Sequence, residues 1–98
     1  METRTRYRCR TDLNHAAIAS YLRRAGCLVF SLHTLGRGCP DLLCLLPGGR
    51  LALIEVKGPK GKLTPDQERF ISDGWPVTVV RSEGDCDRLL GIPVTQSQ

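Results

Sequence analysis

The sequence GCPDLLCLLPGGRLALIEVKG, residues 38–58, contains two apolar runs, LLCLL and LALI, joined by the turn-forming tetrapeptide Pro-Gly-Gly-Arg. Short apolar runs separated by such a segment are typical of an antiparallel β-hairpin. In a hairpin, the start of the first strand lies beside the end of the second. The stretch therefore predicts two paired strands, with Asp41 across from Glu55 and Lys57 at one end of the hairpin.

Glu55 and Lys57 are predicted to project from the same face of their strand, because side chains two residues apart share a face. Ile54 and Val56 then point the opposite way, into a core. Alone, a Glu-x-Lys pair also suits a solvated strand face, and the Pro-Asp pair that contains Asp41 suits an ordinary turn. Their order, spacing and position at the ends of two apolar strands favour a functional site.

Two carboxylates and one amine in this arrangement are suited to metal-assisted hydrolysis of a phosphodiester. Mg²⁺ prefers oxygen ligands and is commonly held by one or two carboxylates, water and substrate phosphate. Asp41 and Glu55 fit that role, and the backbone carbonyl of Val56 is a candidate third ligand. A bound metal polarises the scissile phosphate and lowers the pKa of a bound water. Lys57 is then predicted to orient that water or to offset charge on the phosphorus.

The chain resembles the PD-(D/E)xK nuclease superfamily and, within it, the stand-alone VRR-NUC domains of phage and bacterial type. The similarity covers about residues 12–90 and is carried by the segments GCPDLL, LIEVK, LTPDQ and VTVVRS. The resemblance implies that Asp41 and Glu55 bind Mg²⁺ or Mn²⁺. It also implies that Lys57 is catalytic and that Gln67 supports the catalytic site.

Domains of this family often place an acidic or amide residue on the first helix, facing the metal. The candidates in this chain are Asp12, Asn14 and His15. His15 is either a metal ligand or water-positioning group, or a partly exposed polar residue early in a helix.

The rest of the sequence predicts the order helix, three strands, helix, strand, helix. A helix is predicted over residues 12–24, a strand over 27–32 before the hairpin, a strand over 77–80, and a last helix that begins after Ser82. This order matches the αβββαβ core that the resemblance implies. We therefore expect an α/β, restriction-endonuclease-like fold with a mixed central sheet flanked by helices, in a single domain over residues 1–98.

The second predicted helix has a well-defined start. Thr64 is a suitable N-cap, Pro65 occupies the first helical position, and Gln67 completes a capping box. Gln67 can either cap the helix or point at the catalytic lysine or substrate phosphate, and the resemblance favours the second role. Phe70 and Ile71 are predicted to bury this helix.

The formal net charge of +4 at pH 7 predicts a polyanionic partner, with DNA, branched or duplex, as the first candidate. Arg37, Lys60 and Lys62 are predicted to contact DNA phosphates. The segment 58–62, which carries the two lysines, is either a mobile basic loop that grips the scissile strand or a solvated turn.

The N-terminal segment 1–11 alternates arginine with other residues at positions 4, 6, 8 and 10. It is a solvated tail, a DNA-contacting arm or an added edge strand at a dimer contact, and the sequence does not separate these. The polar segment 93–98 is predicted to be a loose tail.

Five cysteines without a Cys-x-x-Cys pair argue against a zinc cluster and against a paired disulfide framework. Cys27 and Cys44 are predicted to be small buried hydrophobes. There is no secretory signal, no run long enough to cross a membrane and no phosphate-binding glycine motif. We therefore expect a cytoplasmic protein in a reducing setting, with no membrane partner and no nucleotide cofactor.

These observations predict a hydrolase, namely a Mg²⁺- or Mn²⁺-dependent DNA endonuclease, with branched or four-way-junction DNA as a candidate substrate. The alternative is a non-catalytic nucleic-acid-binding module that retains the nuclease fold. A subunit that recruits another nuclease would need an exposed apolar face, and the sequence indicates none beyond core stripes. The low aromatic content of 5% predicts a thin core that favours self-association, and the resemblance implies a homodimer.

Overall fold

A computed structural model of the protein describes residues 14–92, in which one four-stranded sheet is flanked by three helices. The elements in chain order are α1 (described over 14–24), β1 (Leu28–Ser31), β2 (Leu42–Leu45), β3 (Leu51–Val56), α2 (Pro65–Ser72), β4 (Val77–Val80) and α3 (Glu83–Leu90). The predicted order is confirmed. The segments 1–11 and 93–98 and the candidate residue Asp12 lie outside the described residues.

The strands lie in the order β1-β2-β3-β4. The pairs β1–β2 and β2–β3 are antiparallel, whereas β3–β4 is parallel because α2 forms the crossover between those two strands. Leu42 pairs with Ile54 and Leu45 with Leu51, so the predicted hairpin and its turn are present. This mixed sheet with flanking helices confirms the predicted α/β fold class.

The core lies on one face of the sheet, beneath α1 and α3. Its members include side chains from both helices and from the central strands, namely Ile18, Leu22, Leu42, Cys44, Ile54, Val80 and Cys86. Cys27 and Cys44 are buried, as predicted. The four cysteines within residues 14–92 are all free thiols. In the same part of the chain, no helix has the length and apolar composition needed to cross a membrane.

The opposite face of the sheet is apolar and largely uncovered. Leu28, Phe30 and Leu51 are 69%, 66% and 66% exposed, and Leu45 lies beside them. The expectation that the chain has no exposed apolar face is therefore wrong. Runs that are apolar at every position, such as LLCLL, do not reveal which face is covered. Of the three helices, only α1 and α3 contribute buried side chains to the core, and both cover the same face of the sheet.

Helix α2 is not buried as the sequence predicted. None of its residues is fully buried; Ile71 is half-buried, and the half-buried Phe70 stacks on the exposed Trp75 with ring centroids 5.2 Å apart. The helix lies at the periphery of the fold because its polar first turn, and not an apolar stripe, connects it to the sheet.

Gly38 is the position where the loop before β2 approaches the start of α2. Its φ of +79° is in the left-handed region, and a Cβ atom there would clash with the carbonyl of Asp66 and lie 2.9 Å from the backbone nitrogen of Gln67. Gly38→Ala is expected to lower the free energy of unfolding by about 2–4 kcal/mol, measured by urea denaturation, because it adds a clash to an unfavourable φ.

Gly36→Ala is the matched control for this prediction. Gly36 also has a positive φ, of +70°, but no atom lies within 4 Å of the added Cβ. This variant should lose only about 1 kcal/mol, the cost of the left-handed conformation. Equal losses in the two variants would show that the contact with α2 is unimportant.

Candidate active site

A cavity of about 460 Å³ lies where β1 and β3 end and β2 begins. Its lining comprises residues from α1, the three strand ends, the following loops and α2, namely His15, His33, Asp41, Glu55, Val56, Lys57, Gly58, Gly61 and Gln67. Six residues predicted for catalysis or metal binding are therefore brought together in one cavity. The antiparallel hairpin places Asp41 at the same sheet edge as Glu55, as the sequence indicated.

Asp41 is fixed between the ends of its two neighbouring strands. Its Oδ2 accepts a hydrogen bond from the backbone N–H of Val56 at 2.9 Å. Its backbone carbonyl accepts a hydrogen bond from the N–H of Leu32 at 2.7 Å. The carboxylate is therefore held against β3 by a bond that an amide side chain could also make.

Glu55 is a buried carboxylate, with only 3% of the residue exposed. Its Oε2 lies 2.8 Å from Nε2 of Gln67 and 3.6 Å from Nζ of Lys57, whereas its buried Oε1 has no hydrogen-bond partner in the part of the chain that the structure describes. Burial, followed by the nearby charge of Asp41, raises the pKa of Glu55 to about 7, although Lys57 acts in the opposite direction. A further cation beside Oε1 would stabilise the ionised form of this carboxylate.

Gln67 completes the capping box, and its side chain also reaches the site, where it contacts Glu55 rather than the predicted Lys57. Its Oε1 accepts the backbone N–H of Thr64 at 2.9 Å, and its backbone N–H bonds to the hydroxyl of Thr64 at 3.2 Å, which completes the capping box. Its Nε2 donates to Glu55. One amide side chain therefore connects the start of α2 to the buried carboxylate and orients both.

Lys57 is held through its backbone, with its side chain only 15% exposed. Its N–H donates to the carbonyl of Val80 at 3.0 Å, and its carbonyl accepts Nδ2 of Asn14 at 2.7 Å. Asn14 therefore supports the strand that carries Lys57. His15, the next residue on α1, lines the cavity, and its buried Nε2 has no hydrogen-bond partner within residues 14–92.

The loop between β3 and α2 is tied to the end of β4. The guanidinium of Arg81 donates to the carbonyl of Gly58 at 2.8 Å and to that of Gly61 at 2.6 Å. The sequence interpretation of a mobile loop or a solvated turn did not include this tie. Lys60 and Lys62 are exposed on the same loop but do not line the cavity.

Arg37 is exposed and lies outside the cavity. It lines a separate depression with residues of α2, including Arg69 and Phe70. Of the three residues predicted to bind nucleic acid, none is in the cavity itself. All three side chains are exposed.

His33 is a cavity residue that the sequence reasoning missed. It follows β1, and its Nδ1 lies 2.9 Å from the hydroxyl of Ser31. No local pattern pointed to His33, because the antiparallel pairing of β1 with β2, which brings the end of β1 beside Asp41, is made across a long loop.

The residues present fit a hard divalent cation. Asp41 and Glu55 supply carboxylate oxygens, and the unpartnered Oε1 of Glu55 and Nε2 of His15 are buried atoms of residues that line the same cavity. Within residues 14–92 no group of three or more His, Cys, Asp and Glu side chains is arranged to hold a metal. Water, backbone carbonyl or substrate oxygens would have to complete the ligand set, as is common for Mg²⁺.

Comparison with known proteins identifies the family of this chain. A family model of the VRR-NUC domain matches residues 3–83. The chain belongs to the VRR-NUC domain family. A curated protein from Acyrthosiphon pisum secondary endosymbiont phage 1, named "Putative nuclease p44", is 33% identical over an alignment of 79 residues. The match covers 76% of this chain and 85% of that protein.

A solved structure of a "VRR_NUC domain" is also similar to this chain. It is 36% identical in sequence, has a TM-score of 0.59, and the match covers 78% of this chain and 92% of the other. The VRR-NUC fold, the family membership and the phage relative together support a nuclease-type function.

Proposed function

We propose that this VRR-NUC domain is a Mg²⁺- or Mn²⁺-dependent DNA endonuclease that hydrolyses phosphodiester bonds, with branched DNA as a candidate substrate. The observation that carries the proposal is the convergence of Asp41, Glu55 and Lys57 in one cavity, where the buried Oε1 of Glu55 has no hydrogen-bond partner among residues 14–92. A buried acceptor without a partner is costly, so a binding-competent site is a better explanation than a structural ion pair.

Asp41 and Glu55 would hold the metal, with the Val56 carbonyl and His15 as further candidate ligands. When bound, the metal would polarise the scissile phosphate and lower the pKa of a bound water. The chain's own residues then have distinct tasks. Lys57 offsets negative charge near the reacting phosphate and orients the attacking water, and Gln67 keeps Glu55 in position through its hydrogen bond of 2.8 Å.

DNA binding in this proposal depends on exposed cations around the cavity. Arg37, Lys60 and Lys62 neutralise backbone phosphates, and the hydrogen bonds from Arg81 keep the loop that carries the two lysines beside the site. Binding of this kind releases counterions and is largely independent of base sequence. Substrate choice would then depend on DNA shape more than on sequence.

The proposal is tested by incubating the purified protein with linear duplex, single-stranded, flap and four-way-junction DNA in Mg²⁺, Mn²⁺ or EDTA. Cleavage is expected only with a metal, and the ranking of the four substrates identifies the preferred shape. Cleavage in EDTA would contradict the mechanism. Tight binding without cleavage of any substrate would favour the alternative, a nucleic-acid-binding module that retains the fold.

We also propose that two copies associate through the exposed apolar face of the sheet formed by Leu28, Phe30, Leu45 and Leu51. A two-fold interface uses the same patch on both subunits, and an apolar patch is complementary to itself. Light scattering is expected to give twice the mass of the 10.8 kDa chain. Phe30→Asp should halve that mass, whereas Leu35→Asp, which alters an exposed residue in a loop outside this patch, should not. A single-chain mass for the unaltered protein would contradict dimer formation.

A further inference from the structure

His33 and Lys57 lie on opposite sides of Asp41. Strand β2 lies between β1 and β3 in the sheet, and Asp41 immediately precedes β2. His33 follows the end of β1, and Lys57 follows the end of β3, and both line the cavity. Since neighbouring strands are about 4.8 Å apart, the strands that carry these two residues are separated by about 10 Å. A phosphodiester bound at Asp41 would therefore have a different basic side chain on each side.

This separation suits an in-line displacement at phosphorus. In such a reaction the attacking and leaving oxygens are on opposite sides of the phosphorus. The proposed function assigns the orientation of the attacking water to Lys57, on the β3 side. The leaving oxygen then faces the β1 side, where His33 is the side chain that can transfer a proton.

The two ring nitrogens of His33 have different surroundings. The hydroxyl of Ser31 lies 2.9 Å from Nδ1, and the backbone N–H of His33 is 3.5 Å from the same hydroxyl. A serine oxygen has two lone pairs and can accept both N–H groups. In the imidazolium form both ring nitrogens carry a proton, so Nδ1–H donates to the hydroxyl of Ser31 and the proton on Nε2 is the one that can be transferred.

We propose that His33 is a catalytic residue that protonates the leaving oxygen, and that Ser31 is the positioning residue that orients its ring; this inference rests on the proposed function. The oxygen of water forms a bond to phosphorus while the bond from phosphorus to the leaving deoxyribose oxygen breaks. The leaving oxygen takes the proton from Nε2 of the imidazolium. The attacking water releases one proton to solvent, and His33 regains a proton from solvent before the next turnover.

A substrate with sulfur in place of the leaving oxygen tests this role. A thiolate, with a pKa of about 8.5, leaves without a proton, whereas an alkoxide needs one. The 5′ and 3′ ends of the wild-type product show which deoxyribose oxygen leaves. A DNA substrate with sulfur at that bridging position is then used. His33→Gln is expected to cleave the ordinary substrate about 10²-fold more slowly or worse, but to cleave the sulfur substrate at nearly the wild-type rate.

Two further variants and a binding measurement complete the test. Ser31→Ala should show a smaller loss with the same recovery on sulfur, and Thr34→Gln, at the exposed residue next to His33, should resemble the wild type on both substrates. DNA affinity measured by fluorescence anisotropy in EDTA should be unchanged in His33→Gln. An equal loss on both substrates, no loss on the ordinary one, or weakened binding would overturn the role of His33. A wild-type protein that cleaves neither substrate would instead overturn the proposed function and this inference with it.

Discussion

Asp41→Asn and Lys57→Met are each expected to reduce metal-dependent DNA cleavage by about 10²-fold to 10³-fold or more, the cost of removing one group that stabilises transition-state charge. Asn at position 41 can still accept the N–H of Val56, which is 2.9 Å from Oδ2 in the native protein, so the change removes charge more than structure. Met at position 57 keeps most of the apolar stem of the lysine. Cleavage is measured under single-turnover conditions.

The two variants are expected to differ in metal binding. The wild type should gain about 1.4 kcal/mol of stability at a Mg²⁺ concentration ten times Kd, measured as a rise in Tm. Asp41→Asn should lose this gain, whereas Lys57→Met should keep it, because Lys57 is not a proposed ligand. Lys60→Met, which alters an exposed lysine on the adjacent loop, is the control: it should weaken DNA binding but keep the metal response and the cleavage rate at saturating DNA. Full activity in Asp41→Asn or Lys57→Met would refute the proposed mechanism.

Glu55→Gln is expected to stabilise the protein at pH 8 in EDTA while abolishing cleavage. Burial raises the pKa of Glu55 from its usual 4.5 to about 7, so ionisation of this carboxyl costs the folded state about 3 kcal/mol. The stability associated with the neutral form is fully present below pH 4.5 and is lost as the pH rises through 7. Gln is neutral at every pH and still accepts the hydrogen bond of Gln67, so Tm at pH 8 should rise by roughly 12–24 °C.

The pH dependence of this difference is the decisive measurement. The Tm difference between Glu55→Gln and the wild type should disappear near pH 4, where Glu55 is itself protonated, and should grow between pH 4.5 and pH 7. Glu68→Gln removes an exposed carboxylate from the first turn of α2 and should change Tm little. A lower Tm for Glu55→Gln at pH 8 would show that the ionised form of Glu55 is stabilised by the fold.

The hairpin and the helix boundaries could be predicted because local chemistry determines them. The Pro-Gly-Gly-Arg turn sets the pairing of Leu42 with Ile54, and that pairing brings Asp41 to Glu55. Thr64 caps α2 as its sequence context indicates. Two predictions proved wrong: the burial of α2 through Phe70 and Ile71, and the absence of an exposed apolar face. Both concern which surfaces of the protein pack against each other. That depends on the relative positions of distant segments, and a run of residues that are all apolar carries no information about it.

The sequence by itself therefore determined the order of elements, the α/β class and the chemical types at the site, because turns, caps and strand periodicity act over a few residues. The tertiary structure alone decided that Glu55 is buried with one oxygen unpartnered among residues 14–92, that Gln67 contacts it, and that His33 lines the same cavity as Lys57. It also left one sheet face uncovered. Each of these outcomes arises from contacts between segments far apart in the chain, where burial and pairing are set by packing and not by local pattern.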